Sequence, residues 1–329
     1  MIVFVTGGAG YIGSHVCKAL ARAGHTPVAF DNLSAGHREA VKWGPLVVGD
    51  LADAAGVRAA LADSRAEAVM HFAASAYVGV SVVDPRGYYA NNFVNGLNLI
   101  NGMLDCGVRT LVFSSSCATF GDQRTELLDE SHPHDPVNPY GETKRAFEQA
   151  LRWYGPAYGL RSVSLRYFNA AGADPEGELG EDHDPETHLI PIILGVAAGR
   201  RPELEIFGSD YPTPDGTAVR DYVHVVDLAS AHLLALDYLR RGGETVRLNL
   251  GTGQGSSVTE VVAAARRVTG AEIPVRRSPR RPGDPPRLVA DGRAARERLG
   301  WKVTHSDLDT ILRTAWAWTT RGRTPARAA

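Results

Sequence analysis

The chain has 329 residues, 44% of them hydrophobic and 22% charged, with Lys plus Arg at 35 against Asp plus Glu at 37. That is chain enough for a large core and one or two domains, and the near balance of charge argues against nonspecific nucleic-acid binding. Three cysteines without metal spacing (Cys17, Cys106, Cys117), and no apolar run near the roughly 18 residues of a membrane span, leave no disulfide framework and no membrane partner. The opening run Ile2–Val5 ends in glycines and is too short for a signal-peptide core. The expectation is a cytoplasmic protein with no metal cluster, in which the stretches around His183-Asp184 and His132–His134 are polar loops.

In chain order, Ile2–Thr6 predicts a buried strand and Tyr11 to Ala23 a helix. Thr26–Asp31 and Leu46–Gly49 read as strands, Asp53–Ala62 as a helix and Ala68–Phe72 as a strand. A long helix is expected from Pro85 to Cys106, then a strand at Thr110–Ser115, a helix over Asn138–Tyr158 and a strand at Ser162–Tyr167. Strands separated by helices of this length predict an α/β fold with a doubly wound parallel sheet. Continuous apolar strands such as Ile2-Val3-Phe4-Val5 suit burial on both faces. After Asn169 the alternation loosens. Residues 172–187 read as an exposed loop, and helices are expected at 189–199, 227–240, 257–269 and 305–320. The division predicted is a Rossmann-type domain over 1–170 and a smaller C-terminal α/β substrate domain over 171–329, with some chain exchange between them. The Ala- and Arg-rich tail after Thr320 is expected to fray.

Gly7, Gly10 and Gly13 are spaced G-x-x-G-x-x-G between a strand and a helix, the context that makes a dinucleotide motif credible. Gly7 permits the tight turn, Gly10 the approach of backbone to pyrophosphate, and Gly13 close helix–strand packing. The amides near Tyr11 and Ile12 face the phosphates with the positive end of the helix dipole. Asp31 ends the second strand, where a carboxylate accepts from both ribose hydroxyls and repels a 2′-phosphate; NAD is favoured over NADP. Asp50-Leu51 follows the third strand, either as an adenine contact or as an ordinary loop aspartate.

Tyr140 and Lys144 stand four apart and share a helix face, with Pro139 suited to the first turn. Tyrosine is a weak base near its ordinary pKa of about 10. A neighbouring lysine and a positive nicotinamide are expected to lower that value. Ser114-Ser115-Ser116 ends a strand at the carboxyl edge where open α/β sheets bind ligands. Cys117 lacks a local base and reads as a small packed residue.

These residues resemble the extended short-chain dehydrogenase/reductase family and, within it, the UDP-hexose 4-epimerases. The resemblance covers nearly the whole chain. It runs through Val5–His15, Asp31-Asn32-Leu33, His71-Phe72-Ala73-Ala74, Tyr89-Ala90-Asn91-Asn92, Phe113–Ser116, Asn138–Gly141 and Arg166–Gly172. The blocks Ile206–Thr217, Arg220–Val225 and Arg280–Asp284 separate this branch from general dehydrogenases.

The resemblance implies that tightly bound NAD, regenerated in each turnover, serves the interconversion of UDP-glucose and UDP-galactose through a 4-keto sugar. It adds Asn32, Phe72, Ala73, Ala74, Asn91, Ser114 and Phe168 to the cofactor shell. Ser116 would bond the sugar hydroxyl and Asn169 would touch the sugar nucleotide. Leu189, Ile206 and Phe207 would line the uridine pocket, with Glu205 at its edge. Arg220 and Arg281 would grip the diphosphate, as guanidinium groups suit paired phosphate oxygens, and Asp284 would orient a ribose hydroxyl. Relatives pair as homodimers through helices corresponding to 85–106 and 138–158. The chain departs from the family at Ala76, where a lysine is frequent, at Phe120, where a tyrosine is usual, and at Leu288, which bears on sugar-pocket size. Dehydratase and decarboxylase relatives carry a carboxylate just after the serine; this chain has Cys117-Ala118. Epimerases of other UDP-sugars and a noncatalytic NAD sensor are the competing readings.

Overall fold

The structure is a computed structural model that describes residues 1–321 apart from Asp122, Arg124, Pro282 and Gly283. Two residues of the arginine block, Pro282 and Gly283, and the tail at 322–329 therefore lie outside the description. The first half runs β1 (Ile2–Thr6), α1 (Tyr11–Arg22), β2 (Thr26–Asp31), β3 (Leu46–Val48), α2 (Ala54–Ser64) and β4 (Ala68–His71). It continues with α3 (Val78–Val83), α4 (Pro85–Tyr88), α5 (Asn95–Asp105), β5 (Thr110–Ser116), α6 (Pro139–Tyr158) and β6 (Arg161–Tyr167). The second half adds β7 (Asn169–Ala171), α7 (Leu189–Ala197), β8 (Leu204–Phe207), β9 (Val219–Arg220), β10 (Tyr222–His224) and α8 (Val225–Arg240). It ends with β11 (Val246–Leu250), α9 (Val258–Thr269), α10 (Arg293–Leu299) and α11 (Leu308–Thr320).

Seven strands form one parallel sheet in the order β11-β6-β5-β4-β1-β2-β3. Alternation along β1 divides its side chains between two cores. Val3 and Val5 join Val16, Leu20, Met70, Leu165 and Leu236 on one face. Phe4 joins Leu99, Ile100, Phe113 and Phe147 on the other. Burial on both faces is why the strand is apolar throughout. The chain proceeds outward from β1 to β3, then returns to β4 on the other side of β1. The crevice beyond the carboxyl ends of β1 and β4 is thus a topological switch point, the place where such sheets bind ligands.

A separate core of Ile193, Leu194, Leu204, Ile206, Val261 and Leu312 joins α7, α9 and α11. The capping box of Ser257 and Glu260 fixes the start of α9. The sequence division at 170/171 is crossed by α8 and β11. β11 pairs in parallel with β6, and Leu228 and Leu236 of α8 pack in the core with Val16 and Leu20 of α1.

The long helix expected over 85–106 is not one regular helix. α4 passes through a π-helical turn at Tyr89–Val94 before α5 begins. Asn91 and Asn92 stand on that turn. The Asn92 amide accepts from Ser75 N and donates to Ser75 O and to Thr143 Oγ1. The turn thereby ties the loop after β4 to the face of α6.

Candidate active site

The glycine turn connects β1 to α1 as the spacing requires. Gly7 has φ +72, and a Cβ there would lie 2.6 Å from Ala73 N. A Cβ on Gly13 would lie 2.1 Å from the Gly7 carbonyl oxygen. No side chain caps α1 at Gly10, so the first-turn amides around Tyr11 and Ile12 keep the positive end of the dipole open toward the crevice. Asp31, buried at the end of β2, accepts from Ala9 N at 3.0 Å and Leu33 N at 2.8 Å, which fixes its carboxylate beside the turn. A close backbone cradle, an uncapped helix end and a fixed carboxylate fit a dinucleotide carrying free ribose hydroxyls. The Asn32 amide donates to Asp50, while Leu51 is buried in the core. The Asp50 carboxyl is held below its ordinary range, chiefly by the Ala52 N–H and then by Asn32. Phe72, Ala73 and Ala74 follow β4 at the crevice, and the Phe72 ring leans on His232. The Asn91 amide donates to Ser75 Oγ at 3.0 Å.

Across the crevice, Asn138 caps α6 through Gly141 N, and Pro139 occupies the first turn. That start aims Tyr140 and Lys144 at the end of β5. Lys144 is buried and its Nζ donates to the Ser114 carbonyl at 3.0 Å. It lies 5.8 Å from the centre of the Tyr140 ring. The Ser114 hydroxyl contacts the Tyr167 hydroxyl, and Ser116 Oγ accepts from Ala118 N. Burial pulls Lys144 down to about 7, against the attraction of Glu148. Burial also pushes Tyr140 up to about 12, against a lowering contact with Ser116.

The lowered phenol expected from the sequence is therefore not a property of the protein alone. The lysine that should lower it is itself driven toward neutrality by the same burial.

Residues assigned by resemblance to the substrate fall on the second half. The Asn169 amide donates to the Asp221 carbonyl at 3.1 Å. Arg220 and Asp284, expected on different parts of the nucleotide, are ion-paired with each other, and Arg220 also donates to Pro285 O at 2.8 Å. The Arg281 guanidinium lies 3.9 Å from the centre of the Phe207 ring. Glu205 on β8 accepts from Ser278 at 2.5 Å and pairs with Arg276. Ile206 is buried in the core behind β8, and Leu189 opens α7 at its edge. Phe168 packs with Cys117, Phe120 and Leu128, with Leu288 at the rim. Ala76 is exposed. Burial pushes the Cys117 thiol up to about 12, as befits a packed residue rather than a nucleophile.

Sequence reasoning passed over Asn92, Tyr167 and Glu148. Asn92 and Tyr167 stand inside the family-like segments Tyr89–Asn92 and Arg166–Gly172, and Glu148 continues the four-residue spacing from Tyr140 and Lys144.

A seven-stranded parallel sheet with helices on both faces and a glycine turn at its switch point defines a Rossmann-like dinucleotide-binding fold. The sequence profile of the NAD dependent epimerase/dehydratase family matches residues 3–251, and the chain belongs to that family. It is 52% identical over 316 residues to the UDP-glucose 4-epimerase of Rhizobium leguminosarum bv. trifolii, covering 96% of each chain. The crystal structure of the UDP-glucose 4-epimerase from Brucella ovis in complex with NAD superposes with a TM-score of 0.94 at 52% identity, covering 96% of this chain and 97% of that one. That of the Bifidobacterium longum enzyme in complex with NAD+ and UDP gives 0.93 at 37% identity, covering 98% and 99%.

Proposed function

We propose that the chain is an NAD-dependent 4-epimerase that interconverts UDP-glucose and UDP-galactose through a 4-keto sugar. The observation that carries the reading is the convergence of Tyr140, Lys144 and Ser116 at the carboxyl end of β5, beside the Gly7–Gly13 turn. Gly7, Gly10, Tyr11, Ile12, Gly13, Asp31 and Asn91 would hold NAD, with Asp50, Phe72, Ala73, Ala74, Ser114 and Phe168 completing its shell. When bound, NAD supplies the acceptor for the hydride of carbon 4 and the store from which that hydride returns.

The chain's own residues handle the proton. Ionised to the phenolate, Tyr140 takes it from the 4-hydroxyl and, now the phenol, gives it back to the 4-oxygen of the inverted sugar. Ser116 bonds that oxygen and relays the proton. Lys144, fixed by Ser114, places a cation beneath the phenol when protonated. Arg220 and Arg281 grip the diphosphate, with Asn169 and Asp284 on the sugar nucleotide and Leu189, Glu205, Ile206 and Phe207 around the uridine. Firm hold on the nucleotide and loose hold on the sugar let the keto intermediate present its other face. The residues after Ser116, Cys117 and Ala118, offer no carboxylate for elimination, which favours epimerisation over loss of water.

We assign the cofactor domain to residues 1–170 and the UDP-sugar domain to 171–329, with α8 and β11 exchanged into the first. We also propose a homodimer through α5, the π-helical turn that precedes it, and α6, where Val94 of the turn and Trp153 of α6 leave 51% and 72% of their surfaces exposed. No helix among the described residues is long and apolar enough to cross a membrane. The cysteines are free, which suits the reducing cytoplasm.

Incubation with UDP-galactose labelled with deuterium at carbon 4 tests the reading. Labelled UDP-glucose should form without added cofactor. Label appearing in solvent or in free cofactor would overturn it.

A further inference from the structure

The loop before α7, read from sequence as a polar loop without a metal cluster, folds into a compact group of side chains. Glu181, His183, Glu186 and His188 each offer one ligand atom, all within 4.8 Å of one another. His183 Nδ1 lies 3.3 Å from Glu181 and 3.7 Å from Glu186. His188 Nδ1 touches Glu181 and lies 4.0 Å from Glu186. The Glu181 side chain is only 5% exposed. Two carboxylates held this close and this dry require positive charge between them.

Protons on both imidazoles would balance the charge, but they do not account for His183. Its Nδ1 is buried and makes no hydrogen bond, although two carboxylates face it. A proton there would point at no acceptor in good geometry. An ion among the four atoms would replace the direct His188–Glu181 hydrogen bond and engage all of them. A tetrahedral zinc site with bonds of about 2.0–2.1 Å holds its ligands about 3.3 Å apart, close to the spacing around His183.

We propose that Glu181, His183, Glu186 and His188 form a binding site for a zinc-class divalent cation. Two imidazoles and two carboxylates suit that class, and four protein ligands leave no open position, so the ion would be structural. Its place in the fold gives it a role. The His183 ring stands edge-on to Tyr11 at 6.3 Å and to Tyr77 at 6.4 Å. Tyr11 opens α1, and its hydroxyl donates to Gly172 O at 2.6 Å. The ion would pin the 172–188 loop across both the glycine turn and the segment after β4. The neighbouring acidic trio Asp174, Glu176 and Glu178 differs, because the Lys18 ammonium already sits among those carboxylates at 2.6–3.0 Å.

The test uses full-length protein dialysed against a chelator and returned to metal-free buffer. Titration with zinc chloride in a calorimeter should show one saturable site per chain, weakened by at least about tenfold in His188→Ala and in Glu186→Gln. His188 is half exposed, so its removal leaves the fold standing. Cobalt(II), used as a second probe, should give the visible bands of tetrahedral coordination in the wild type and lose them in both variants. Absence of saturable zinc binding overturns the proposal, and so does zinc affinity or a cobalt spectrum unchanged in both variants.

Discussion

The Lys144 ammonium donates to the carbonyl oxygen of Ser114 at 3.0 Å. The bond anchors the lysine to the end of β5, under the phenol rather than against its hydroxyl. Tyr140 is thus held by its helix and faced by Ser116, with the cation one turn further along α6. Burial acts on the pair in opposite senses, lifting the phenol and lowering the ammonium, so both neutral forms are favoured before any cofactor binds. A positive ring brought beside them would reverse that balance for the phenol. On the proposed mechanism, this arrangement would tie proton removal to the presence of oxidised cofactor.

Tyr140→Phe should therefore keep its NAD and lose turnover. General acid–base groups contribute about 10²–10⁴-fold, and the loss of kcat is expected in that range. Cofactor released by denaturation, measured by absorbance, checks the first point, and UDP-glucose formed from UDP-galactose the second. Turnover within a few-fold of wild type would remove the phenol from the mechanism.

Lys144 sets a pH dependence in the cofactor-free protein. Its ordinary value is 10.5 and its folded value about 7. Between those limits the unfolded chain holds a proton that the folded chain has released. Stability from this group is then lowest below about pH 7 and rises as pH climbs toward the unfolded value. Glu148 opposes the shift, and neutral His71, pulled down to about 3 first by burial and then by Lys144, adds no charge. The melting temperature should rise more steeply in wild type than in Lys144→Met from about pH 7 to about pH 9. Parallel slopes would show that the lysine is charged throughout.

A second buried pair braces the same helix. Arg166 donates to both Glu148 oxygens, at 2.8 and 2.5 Å, and Ser115 donates to Glu148 at 2.6 Å. The pair joins α6 to β5 and β6 directly below the catalytic turn. Removing one partner of a buried pair costs about 3–5 kcal/mol, because the other charge is stranded. Arg166→Met should show that loss in urea unfolding, and adding Glu148→Gln should recover much of it. Simple addition of the two losses would mean that the residues do not act as a pair.

The local part of this site was legible in the sequence, and the part built by distant chain was not. The glycine turn and the Tyr140–Lys144 face follow from spacing along a single strand, turn or helix. Val246–Leu250 gives no local sign that it will pair with β6 across more than eighty residues of chain. The π-helical turn at Tyr89–Val94 looks like ordinary helix by composition. Arg220 and Asp284 carry recognisable types, but their mutual pairing is set by tertiary contact. The burial of Tyr140 and Lys144 was hidden for the same reason: spacing reports that a lysine is near, while burial decides whether that lysine is charged.

Gly13 offers a cofactor test that leaves the catalytic helix untouched. A methyl group there would collide with the Gly7 carbonyl, which is backbone and cannot swing aside. Gly13→Ala must therefore push α1 away from the glycine turn, moving the first-turn amides off the position they need to meet a pyrophosphate. The variant should be isolated with much less NAD than wild type and regain turnover only as NAD is added. Gly79→Ala, whose methyl would meet nothing within 4 Å, should retain its NAD and serves as the control. If Gly13→Ala kept a full complement of NAD, the packing of α1 on the turn could not be what holds the cofactor, and affinity would have to rest on Asp31 and the rim of β4.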